Sequence, residues 1–161
     1  MPMRTHCHVK PRRKLVFGGL LAEKVTVPHL HPIFVHFPQG LFPVAFASFG
    51  LYFATGVREF ESGAFVTALF GLLAAPLTTA TGFFDWWNRY QAYMTSVFRI
   101  KIAGAFVLMA LAGPAVFLRA FHPDLAVLPL SGLGWTYFGL LAACTATCVV
   151  LGHYGGKLVF H

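Results

Sequence analysis

The chain has 161 residues, 57% of them hydrophobic and 11% charged, with a formal charge of +7. A soluble domain carries roughly 25% charged residues, so this deficit, together with four long apolar segments, excludes an ordinary soluble domain and indicates an integral membrane protein. The basic residues lie mostly in the gaps between apolar segments, which argues against nucleic acid as a partner; five acids, with no Ser/His/Asp set and no phosphate-cradling glycine loop, argue against a hydrolase.

Residues 1–30 read as a basic cytoplasmic tail holding Arg4, Lys10, Arg12, Arg13, Lys14 and Lys24, with a short apolar patch at 15–22 suited to an interfacial helix. Arg12-Arg13-Lys14 has a twin-arginine look. The apolar run behind it is too short and no Ala-x-Ala cleavage site follows, so the stretch is an anchor and not an export signal. His6-Cys7-His8 offers metal-capable side chains on a tail with no apolar anchor.

Four spans are expected, at about 33–55, 64–87, 102–121 and 135–154, each long enough to cross a bilayer at ~1.5 Å per residue. The first contains Pro38 and Pro43, each of which removes a backbone donor; such prolines are tolerated in a membrane where neighbouring groups satisfy the freed carbonyls. A short acidic link, 56–63, leads to the second span, whose Trp86 and Trp87 suit an interfacial aromatic belt. The link 88–101 carries Arg89, Arg99 and Lys101. The third span contains Pro114, and the link 122–134 carries Asp124 and no Lys or Arg. In the fourth span Cys144 and Cys148 stand at i, i+4 among small residues, a pattern of close helix packing. Gly155-Gly156-Lys157 is expected to end that helix.

With the N-terminus cytoplasmic, ten Lys and Arg fall on the inner side and two, Arg58 and Arg119, on the outer. That bias fixes the expected orientation: a multi-pass protein of the cytoplasmic (inner) membrane, both termini inside. Short links favour antiparallel neighbours, so the fold class is all-α, an up-down-up-down four-helix bundle. This topology brings His31, His36, Asp85 and His153 to one depth near the cytoplasmic face, leaving His122 outside. His31 and His36 lie about 140° apart on a regular helix, and the expectation is that His36 points into the bundle while His31 caps its mouth. Gly40, one turn on, leaves room beside the His36 imidazole for something flat, and Gly152 and Gly156 flank His153.

Two histidines on facing helices of an aromatic-rich bundle are a ligand set for haem b, with His36 and His153 as axial ligands and His31 as a substitute. Asp85 is placed to fix a ligand imidazole's tautomer, or to pair with Arg89, Arg99 or Lys101. The corresponding function is a small electron carrier that exchanges electrons with quinone or a redox partner subunit. The alternative is a non-redox membrane subunit whose histidines His36, His153 and His31 bind a divalent metal or serve packing alone.

Three stretches carry a family likeness: His31-Pro-x-x-Val-His36-Phe-Pro, Thr81-Gly-Phe-Phe-Asp85-Trp, and Gly152-His-x-Gly-Gly-Lys-Leu-Val-Phe160. Together they resemble the membrane proteins grouped as domain of unknown function 2231, over about residues 29–160. The resemblance implies four membrane helices and a histidine-bearing inner layer. Many relatives have Glu where this chain has Lys157, and Tyr where it has Phe160.

Overall fold

The four apolar segments fold as four α-helices in a computed structural model that describes residues 30–88 and 90–160, with side chains for 31–88 and 90–156. They are α1 (Leu30–Thr55), α2 (Arg58–Asn88), α3 (Ser96–Phe121) and α4 (Gly132–Phe160), with one 3-10 turn, Pro123–Ala126, between α3 and α4. The expected interfacial helix at 15–22, the His6-Cys7-His8 cluster and Arg89 lie outside the described residues. All four helices are long and apolar enough to cross a membrane.

Local sequence explains where most of them stop and start. Gly56, at φ +72°, closes α1 by sending its N–H to the Tyr52 carbonyl at 2.8 Å, a left-handed stop that glycine makes without steric cost. Helix α2 begins two residues later, so the acidic residues expected in a link are helical, with Glu59 and Glu61 in the first turn, where the helix dipole favours carboxylates. Thr95 caps α3 by accepting the Phe98 N–H at 3.3 Å. The expected stop at Gly155-Gly156 does not occur, and α4 runs on to Phe160. A helical glycine costs about 1 kcal/mol relative to alanine but halts the helix only if it turns left-handed; Gly56 is the one glycine with positive φ among the described residues.

Helix α1 packs most extensively on α2, and α3 on α4; α1–α4 and α2–α3 contacts close the ring. Contacts pair low numbers on one helix with high numbers on the next. Phe42 meets Gly71 and His31 meets Gly82 across α1–α2, Gln39 meets Gly152 across α1–α4, and Leu151 meets Gly104 across α3–α4. Neighbouring helices in these pairs therefore run antiparallel. The core holds Phe42, Phe49, Tyr137, Leu141 and Cys144, all fully buried, between small residues such as Ala45, Ala64, Ala68 and Ala112. The outer surface is just as apolar: Phe70, Leu73, Phe106, Phe117 and Val149 are each more than half exposed. Small residues that let neighbouring helices approach closely, under an outer surface as apolar as the core, are how helices pack when the solvent is lipid.

At the end of the bundle away from His31, Glu61 is buried and accepts two hydrogen bonds from Arg119, one from Nε and one from Nη2 at 2.9 Å. It is the one ion pair among the described residues.

Candidate functional site

Helix α1 enters the bundle through the stretch His31-Pro32-Ile33-Phe34-Val35-His36-Phe37-Pro38. Pro38 has no N–H, so the carbonyl of Phe34 loses its helical partner. Thr78 of α2 replaces it, donating its hydroxyl to that carbonyl at 2.9 Å. The same stretch of α2 receives His31. The imidazole Nδ1 donates to the Thr78 carbonyl at 3.2 Å and lies 3.4 Å from the Thr81 hydroxyl oxygen. It packs flat on Gly82, where an added Cβ would stand 2.8 Å from the His31 Cε1. The first and second sequence motifs are thus two halves of one helix–helix contact. Gly82 of the second motif and Thr78, which lies outside both motifs, build it.

The two histidines of α1 take different faces, as their five-residue spacing requires. His31 lines the mouth as expected, half-buried against α2, whereas His36, expected to point into the bundle, is exposed. The physical reason is register: the inward stripe of α1 runs through Pro38, Phe42, Ala45, Phe49 and Tyr52, and His36 falls roughly half a turn from it. The His36 Nδ1 nevertheless has a fixed partner, the Pro32 carbonyl one turn back. A carbonyl only accepts, so Nδ1 carries the proton and Nε2 presents its lone pair outward.

His153 is also exposed, its ring set edge-on to Tyr154 at 5.5 Å between centroids. It belongs to the same level as His36. Gln39 lies against Gly152, and Cys148 Sγ reaches the Pro38 carbonyl at 3.5 Å. Three residues back from Gln39 and one on from Gly152 differ in height by about 3 Å on antiparallel helices. From the Gln39–Gly152 contact, His36 is turned about 60° and His153 about 100°. Since both are exposed, both have turned away from the core, onto the outer flank of the α1–α4 seam. Gly40 is on that side too, with open space where a Cβ would be. Asp85 stands near the end of α2, where it and Lys101 of α3 act electrostatically on His31.

Behind the seam a cavity of about 40 Å³ occupies the middle of the bundle, lined among others by Val35, Gln39, Thr78, Ala105, Cys148 and Leu151. At roughly 10–15 Å³ per water it accommodates a few waters; tetrapyrrole-sized ligands need pockets of roughly 300–1,000 Å³. A haem between the four helices does not fit this cavity. Two imidazoles on the outer flank remain a chemically suitable donor pair.

Four helices long and apolar enough to span a bilayer, with apolar surface outside and a polar histidine-bearing layer at one end, define an integral membrane helix bundle. The chain belongs to the family described as Predicted membrane protein (DUF2231), whose model matches residues 28–161. No curated protein and no solved structure matches it.

Proposed function

We propose that the protein is a small membrane electron carrier that binds a b-type haem on the outer flank of the α1–α4 seam through His36 and His153, near the cytoplasmic face of the inner membrane. A quinone or a redox partner subunit is the electron-exchange partner. The observation that carries the reading is the Nδ1–H of His36 held by the Pro32 carbonyl, the arrangement that orients an imidazole and raises the basicity of Nε2 toward a metal. His153 supports it by standing at the same depth on the adjacent helix, and Gly40 by leaving the flank open.

Haem asks less of the protein than other metals do. The porphyrin supplies four nitrogen ligands and the chain two, whereas a zinc site needs three or four protein ligands. Among the described residues no group of three His, Cys, Asp or Glu side chains comes together to hold a metal ion, which favours the haem reading over a divalent-metal site. Bound there, haem supplies one-electron redox chemistry at a potential set by its two imidazoles and by burial. For His31, whose Nδ1 is held by a carbonyl in the same way, a structural role is favoured because its ring packs against Gly82 of α2 and not on the α1–α4 flank.

The test is a spectrum of the protein purified from haem-sufficient cells, before and after dithionite. A Soret band with a reduced α-band is expected, lost in His36→Ala and in His153→Ala and kept in His122→Ala, whose side chain is exposed at the far end of α3. No Soret band at good protein yield overturns the cytochrome reading.

A further inference from the structure

We infer that the cavity between the four helices is a binding site for an apolar diatomic gas, dioxygen, taken up from the membrane interior. The inference uses neither His36 nor His153 and stands independently of the haem reading.

The cavity follows from where the glycines lie. Across α1–α2, Phe42 is received on the face of Gly71 and His31 on that of Gly82. Between those two contacts, Val35 and Pro38 of α1 and Ala75 and Thr78 of α2 form the wall. Across α3–α4, Leu151 is received on Gly104, next in the chain to Ala105 of the wall. Three bulky side chains are thus each drawn onto a glycine of the neighbouring helix, and alanine and threonine face the space between them. Protein interiors hold few voids larger than a water molecule; here about 40 Å³ stays open among all four helices.

The chemistry of the wall selects the occupant. The wall is almost wholly apolar. Its hydroxyl and thiol protons are already committed to backbone carbonyls: Thr78 to Phe34 and Ala74, Thr79 to Ala75 at 2.8 Å, and Cys148 to Pro38 at 3.5 Å. A buried water makes about three hydrogen bonds, more than the Gln39 amide, the wall's remaining side-chain donor, supplies. An apolar molecule loses nothing there. Size narrows the choice further. An apolar protein cavity of about 150 Å³ holds benzene, which has six heavy atoms, so on that scale about 40 Å³ holds about two. Dioxygen has that size, makes no strong hydrogen bonds, and as an apolar solute partitions into the hydrocarbon around these helices. No permanent channel is required, since closed apolar cavities take up benzene and xenon.

The experiment uses the full chain in lipid nanodiscs with ¹³C-methyl leucine. Leu108 and Leu151 line the cavity, whereas Leu73 and Leu77 are each more than half exposed on the outer surface. Xenon, as an inert probe, should shift the Leu108 and Leu151 methyls saturably with pressure, and Leu73 and Leu77 only in proportion to it. Dioxygen is paramagnetic, so admitting it to a degassed sample broadens the methyls it approaches. Added xenon should relieve that broadening at Leu108 and Leu151 and leave it at Leu73 and Leu77. Ala75→Val narrows the cavity and should abolish both the saturable shift and the relief; Ala110→Val, on the exposed face of α3, should abolish neither. A response proportional to xenon pressure at all four leucines overturns the inference, as does one that survives in Ala75→Val. Broadening by dioxygen that xenon leaves unrelieved overturns it as well. If Ala75→Val does not fold, competition between the two gases in the unaltered chain decides the matter.

Discussion

At Thr78 one hydroxyl serves two helices: its single proton is shared between the Phe34 carbonyl left open by Pro38 and the Ala74 carbonyl of its own helix. Thr78→Val keeps the shape and removes both bonds, and it should cost about 1 kcal/mol in detergent unfolding, the usual scale for such bonds between membrane helices. Thr78→Ser should keep most of the stability; equal loss in both variants would point to methyl packing as the cause. Gly82→Ala must displace His31, because the added Cβ would meet the ring at 2.8 Å, whereas Gly40→Ala meets nothing and should be silent. The hydroxyl of Tyr137 is wholly buried and lacks a hydrogen-bond partner among the described residues. An unpaired buried hydroxyl costs free energy, so Tyr137→Phe should raise the unfolding temperature; a drop would reveal a bridging water. At this scale the histidines were legible as chemistry but not as positions. Nothing in the spacing of His31 and His36 says which of the two falls on the stripe of Phe42 and Phe49.

Two hairpins, α1–α2 and α3–α4, carry most of the contact in the bundle. They are joined covalently by the turn between Asn88 and Ser96, at the His31 end. At the other end the Glu61–Arg119 pair ties α2 to α3, and the Tyr52 hydroxyl donates to the Ala126 carbonyl of the 3-10 turn. A buried pair contributes little net stability over an apolar replacement, but deleting one partner strands the other charge. Glu61→Ala should therefore destabilise by about 3 kcal/mol, the lower end for a buried pair, since the Arg119 side chain keeps 18% of its exposure. The double replacement Glu61→Leu with Arg119→Met should recover most of that loss. If the single and double variants unfold alike, the pair is not the fastening. A residue-type signal for this contact was present in the sequence: Glu59 and Glu61 before one apolar segment and Arg119 near the end of another. It was missed because Glu61 was read as part of a polar link and not as the first turn of α2.

For the whole molecule, the orientation rests on the ten-to-two distribution of Lys and Arg. Ser62 and Tyr93 are exposed at opposite ends of the bundle. In intact cells and in a Cys7→Ser background, Ser62→Cys should react with a membrane-impermeant thiol reagent and Tyr93→Cys should not; Cys144 and Cys148 are buried and give no background. The reverse pattern would turn the protein over.

The sequence by itself determined that the chain spans a membrane with four helices, because hydrocarbon demands long apolar segments whose backbone bonds are internal, and composition records that demand directly. It also located the polar chemistry, since histidines, Asp85 and the motif prolines cluster at one end whatever the packing. Which of those residues face one another was decided only by the tertiary structure. Helix rotation and register depend on small residues fitting against large ones, Gly71 against Phe42 and Gly82 against His31, and on a hydroxyl from one helix completing another's interrupted backbone. Those are relations between distant positions, so His36 came to rest on the outer flank and His31 at the mouth.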